Sequence, residues 1–127
     1  MARGKFGTDT KIIWHDRKRY FGMPLSFTRY YIVEKPDTWV KVFSDIGFLS
    51  TKQEEVHAYR IFDISVRQTL ADKIFGVGTI ILRCKDISSP DLYLLKVKDP
   101  YMVRNTIAEI VERERAEKGF RIGEFHS

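Results

Sequence analysis

The chain has 127 residues, 43% hydrophobic and 13% aromatic, with a formal net charge of +5; this suits one globular domain that buries about two-thirds of the surface its unfolded form exposes. Eight glycines and four prolines are too few for a disordered chain, and the lone cysteine, Cys84, excludes an intramolecular disulfide and fits a reducing compartment. No apolar run approaches the roughly 18 residues of a membrane span and the N-terminus lacks a signal-peptide core, so a soluble, cytoplasmic protein is expected.

The charge sits at the start: residues 1–20 hold six basic and two acidic residues, +4 of the +5. There "KIIWHDRKRYF" interleaves Lys11, Arg17, Lys18 and Arg19 with Ile12, Ile13, Trp14, Tyr20 and Phe21. Two readings stand. The aromatic residues pack on the domain and the charges point outward, or Lys11, Trp14, Arg17, Lys18 and Arg19 form a binding set for an anionic membrane surface. In the second case each basic residue contributes about 1 kcal/mol and Trp14 sits at the interface. Nucleic acid would feel the same charge, but no RNP-type or helix-turn-helix pattern accompanies it.

Beyond this arm, with an early strand allowed near "RYFGMPL", the aromatic and β-branched "SFTRYYIVEK" (26–35) reads as a strand closed by the Pro36-Asp37 turn. "TWVKVFSD" (38–45) places Val40 and Val42 on one face and Trp39, Lys41 and Phe43 on the other. "FLSTKQEEV" (48–56) has the polar centre of a solvent-facing edge. In "IFDISV" (61–66) Phe62, Ile64 and Val66 alternate with Ile61, Asp63 and Ser65, which predicts one core-facing side. "VGTIILRC" (77–84) and "LYLLKV" (92–97) complete the strands.

The glycines of "IFGVGTIIL" (74–82) invite a nucleotide-loop reading, but Ile81 stands where a third glycine is required and a strand follows instead of a helix. Thr69 and Asp72 instead form a capping box, Leu70 and Ile74 lie one helical turn apart, and Gly76 suits the left-handed terminator of a short helix. Near the end the period changes. Asp99 is an N-cap, Pro100 the first helical residue, and Val103, Ile107, Ile110 and Val111 form one apolar face, with Gly119 as the stop. Glu109 with Arg113, and Glu114 with Lys118, are expected as flank pairs.

"EEVHAYRIFDISVRQTLADKIFGVGTIIL", with "LSFTRYYIVEK" before it and "VKDPYMVRNTI" after it, resembles bacterial pleckstrin-homology (PH) domains of the YdbS-like type. The resemblance spans residues 25 to about 116 and identifies a small single-domain member. It implies a mainly β, partly open barrel or sandwich of about seven antiparallel strands, capped by one C-terminal helix over about 99–118. The organisation expected is an arm at 1–20, a PH-like domain at 21–119 and a tail at 120–127. Membrane-anchored relatives place transmembrane helices before the PH unit, whereas only the short arm stands here. Phosphoinositide-binding PH domains grip phosphates with a basic first hairpin; Glu34-Lys35-Pro36-Asp37 is a poor match.

His15, His57 and His126 show no metal-ligand spacing, so no metal and no cofactor is expected. No G-x-S-x-G elbow or paired acid and base appears, and Arg60 with Asp63 reads as a local ion pair. The expectation is a non-catalytic module that recognises a protein or peptide, with self-association through the polar edge strand as one form of it. The alternative is a peripheral binder of anionic membranes at the inner face, acting through the arm.

Overall fold

The computed structural model describes residues 6, 7, 9–20, 26–47, 52–84 and 91–126. Seven antiparallel strands form two sheets that do not close into one ring. The first holds β1 (Lys11–Arg17), β2 (Arg29–Lys35), β3 (Trp39–Ile46) and β4 (Lys52–His57) in chain order. A 3-10 turn (Ala58–Arg60) leads to the second, built of β5 (Ile61–Arg67), β6 (Val77–Cys84) and β7 (Leu92–Lys98). Helix α1 (Leu70–Phe75) joins β5 to β6, and α2 (Pro100–His126) follows β7.

The first strand is made from the basic segment itself. Lys11–Arg17 pairs with β2, and a bulge at Ile13 lets Ile13 and Trp14 pack against the main core while Ile12 joins a smaller cluster outside the sheet. The strand allowed near "RYFGMPL" falls largely on residues 21–25, outside the described residues, as do residues 48–51 of the edge-strand stretch. The outer cluster gathers Phe6, Val33 and Phe43, with Tyr31 and Trp39 against them, so the second face of β3 is also covered.

In the main core, Tyr30, Ile32, Val40 and Val42 from the first sheet meet Ile80, Leu82, Leu94 and Val97 from the second. The alternation in β5 is displaced. A bulge at Phe62 brings Ile61 into the core with Ile64 and Val66 and leaves Phe62 51% exposed, because an extra residue in one strand shifts the faces that follow.

Helix α2 closes the gap between the sheets, contacting the 3-10 turn, β5 and β6. Val103, Ile107, Ile110 and Val111 are all buried, each contributing about 1.5–3 kcal/mol as an upper estimate. The carbonyl of Asp99 accepts the first helical bond, from Val103 N–H, although Asp99 itself sits at φ 49°. Gly119 does not end the helix, which runs on to His126. With no proline after it, a helical glycine costs only about 1 kcal/mol relative to alanine. The expected Glu114–Lys118 flank pair does not form either. Glu114 is buried, and Lys118 lies over the Tyr59 ring at 5.0 Å.

The sheets are fastened where β7 is bulged opposite Thr79. Lys96 takes φ 52°, and the Leu95 N–H, turned out of the ladder, donates to the Tyr30 hydroxyl at 2.9 Å. Tyr30 is 1% exposed, and burial pushes its hydroxyl up to about 12 despite the opposing hydrogen bond from Leu95. At the same corner Arg19 N–H donates to Lys96 O at 2.9 Å, and Lys98 N–H donates to Asp16 Oδ2 at 2.9 Å.

Tyr30→Phe strands the Leu95 N–H in the core and is expected to lower stability by about 1–3 kcal/mol in urea unfolding. Gly78→Ala would place a methyl carbon 2.8 Å from Pro100 Cγ and 2.9 Å from Gln68 Cγ. Separating α2 from β6 in this way should cost about 1–3 kcal/mol, read by the same measurement.

Candidate functional site

Helix α1 is only six residues long and is held by its ends. Asp72 N–H donates to Thr69 Oγ1 and Thr69 N–H to Asp72 Oδ2, both at 3.1 Å, which is the reciprocal capping box the sequence predicts. Gly76 ends the helix at φ 69°, ψ 29°, its N–H bonded to the Asp72 and Lys73 carbonyls. The Asp72 side chain turns inward to Lys96 Nζ at 2.6 Å. Burial pushes the Asp72 carboxyl up, but the Lys96 and Thr69 hydrogen bonds outweigh it and hold the group below its ordinary value.

With Asp72 facing the body, the apolar residues of α1 face outward. Leu70 is 77% exposed, Ile74 73% and Phe75 43%. The periodicity locates the turn on which Leu70 and Ile74 meet; that this face points to solvent is a matter of tertiary placement. Asp99 N–H donates to Gly76 O at 3.1 Å, so the first turn of α2, with Tyr101 and Met102 exposed, starts beside the end of α1. On the other flank, Lys18, Arg19, Tyr20, Ala71, Phe75 and Lys96 line a groove of about 290 Å³.

The charge around this apolar end is positive. Asp16 is taken up by Arg19 at 3.0 Å and Asp72 by Lys96. Lys18, Arg67, Lys73 and Lys98 have no acidic partner among the described residues; Lys18 instead lies over the Tyr20 ring at 5.1 Å.

The basic set read from the sequence is distributed along β1. Lys18 and Arg19 reach the groove beside α1. Lys11 pairs with Glu34 at the far end of the strand, about 20 Å away at 3.3 Å per residue. Trp14 packs against the core, and Arg17 pairs across the ladder with Arg29. Asp63 bonds to Arg83 at 3.2 Å, so the expected Arg60–Asp63 pair is replaced by a cross-strand one. Half-buried His57 stacks near Tyr59, with ring centroids 5.4 Å apart; burial and the nearby Lys41 and Arg60 charges depress its basicity. No group of three metal-ligating side chains occurs, and no helix is long and apolar enough to cross a membrane, among the described residues.

The family model described as "Bacterial PH domain" matches residues 19–111, well over half of the chain. The chain belongs to the bacterial PH-domain family. The match begins after β1, so the first strand of this bacterial PH domain lies outside the matched segment. Curated proteins and solved structures gave no significant match. Membership identifies the fold and suggests a binding module.

Asp72→Asn removes the charge that Lys96 meets and should cost about 1–2 kcal/mol near neutral pH. The folded value of Asp72 is depressed, so its contribution is present above its ordinary 3.8 and is lost as pH falls through the folded value. The stability gap between variant and wild type should therefore narrow in urea unfolding as the pH is taken below 3.8.

Proposed function

We propose that this bacterial PH domain is a non-catalytic binding module that docks on an anionic membrane surface with its α1 end. The carrying observation is the outward apolar face of α1, with Leu70 and Ile74 each more than two-thirds exposed. Scattered surface apolar residues are ordinary, whereas a contiguous apolar face within a positive rim fits an interface. Leu70, Ile74 and Phe75 would enter the headgroup boundary while Lys18, Arg67, Lys73 and Lys98 meet lipid phosphates. Each such cation contributes about 1 kcal/mol near an anionic surface, and the attraction falls with salt. The reading keeps Lys18 from the basic N-terminal segment and assigns the apolar contact to α1 in place of Trp14.

The groove beside α1 favours a second reading, a polypeptide partner seating one apolar side chain against Phe75 and Val77 with its acidic residues at Lys18.

Flotation with vesicles of phosphatidylglycerol in phosphatidylcholine, against phosphatidylcholine alone, separates the two. Salt-sensitive binding to the anionic vesicles is expected. The exposed-site variants Leu70→Glu/Ile74→Glu and Lys18→Gln/Lys73→Gln should each weaken it by at least about tenfold with the thermal midpoint unchanged. Failure of the wild-type chain to float with anionic vesicles overturns the membrane reading. A photocrosslink from position 71, which lines the groove, to a polypeptide in a cell extract would then support the second.

A further inference from the structure

A second feature lies at the other end of the first sheet, about 20 Å along α2 from Pro100 at 1.5 Å per residue, so it stands or falls apart from the membrane reading. The β2–β3 corner meets α2 in a polar cleft of about 80 Å³, whose lining includes Glu34, Thr38, Trp39, Arg113, Glu114 and Glu117. Glu114 is 8% exposed, and no hydrogen bond or ion pair reaches its carboxylate among the described residues. Arg113 and Lys118 line the same cleft and attract Glu114 only from a distance, because Arg113 is 3.5 Å from Glu34 and Lys118 lies over the Tyr59 ring.

We propose that the Glu114 cleft is a receptor for the cationic side chain of a partner polypeptide. A mostly buried carboxylate with no cation in contact, its oxygens reached only by a little solvent, gains when a cation reaches it. Glu117, Glu34 and Asp37 around the same cleft balance Lys35, Arg113 and Lys118, so its net charge is the one negative charge of Glu114. Glu114 therefore lacks what an arginine or lysine tip brings, a hydrogen-bonding positive charge small enough for the opening. Burial first, then the Glu117 charge, raises Glu114 above its ordinary 4.5, and the attraction of Lys118 and Arg113 does not offset it. The raised group favours the protonated fold, so its stabilising contribution is complete below 4.5 and is lost as pH rises through the folded value. At neutral pH the bare charge opposes folding.

The test is an NMR titration of the full, nitrogen-15-labelled chain with N-acetyl-arginine amide, with its neutral isostere N-acetyl-citrulline amide, and with the polyamine spermidine. Saturable shifts at the Thr38, Trp39 and Glu114 amides are expected with the arginine compound and not with the citrulline one. Glu114→Gln should weaken that binding by at least about tenfold while raising the thermal midpoint near neutral pH, and Glu109→Gln, an exposed change on the same helix, should leave it unaltered. Equal shifts from arginine and citrulline, wild-type affinity in Glu114→Gln, or no saturable shift would each overturn the proposal. Spermidine binding tighter than the arginine compound would also overturn it, in favour of a free polyamine.

Discussion

The α1 end depends on one break in the β6–β7 ladder. At Lys96 the backbone turns to φ 52°, which takes the Leu95 N–H and the Lys96 carbonyl out of regular pairing. A buried N–H without an acceptor would be costly, and the Tyr30 hydroxyl provides that acceptor from the opposite sheet. The freed carbonyl receives Arg19 N–H, which fixes the chain leaving β1, and the Lys96 side chain reaches Asp72. One local irregularity thus joins the two sheets, the basic segment and α1. Because burial keeps the Tyr30 hydroxyl protonated up to about pH 12, the fastening is indifferent to ordinary changes in pH.

Much of this was legible in the residues because local rules carried it. Thr69, Asp72 and Gly76 specify the start and end of α1 with little outside help, and the apolar period of Val103, Ile107, Ile110 and Val111 identifies the buried face of α2. The resemblance carried by residues 54–82 gave the architecture and the family. The failures share a cause: they turn on where a segment lies in space. Lys11–Arg17 reads as a charged arm because the bulge at Ile13 interrupts its alternation, yet it is a full strand. Phe62 is displaced by a bulge in the same way. Leu70 and Ile74 have the spacing of a packed face but are 77% and 73% exposed. Glu114 and Lys118 have the spacing of a helix pair, but the packing of α2 on the 3-10 turn buries one and draws the other to Tyr59.

The basic segment shows how a composition signal is divided by a fold. In a strand, successive residues are about 3.3 Å apart and alternate between faces, so cations adjacent in sequence cannot all converge on one ligand. Lys18 and Arg19 lie beyond the end of β1 and are freed from that alternation, which is why they meet at the groove while Lys11 does not. The outer cluster of Phe6, Val33 and Phe43 has a related effect: it covers the second face of the first sheet, so Phe43, which alternation turns away from the main core, is buried all the same.

A six-residue segment is far below the roughly 12–15 residues at which an isolated helix becomes even marginal in water. Its shape is therefore borrowed from the fold, through the Thr69–Asp72 box, the Gly76 terminator and the Lys96 tether. The ordering entropy of this surface is settled when the domain folds, and little remains to be lost on contact. The proposed encounter through α1 would then need no disorder-to-order step, and its rate would follow diffusion and the long-range pull of the surrounding cations.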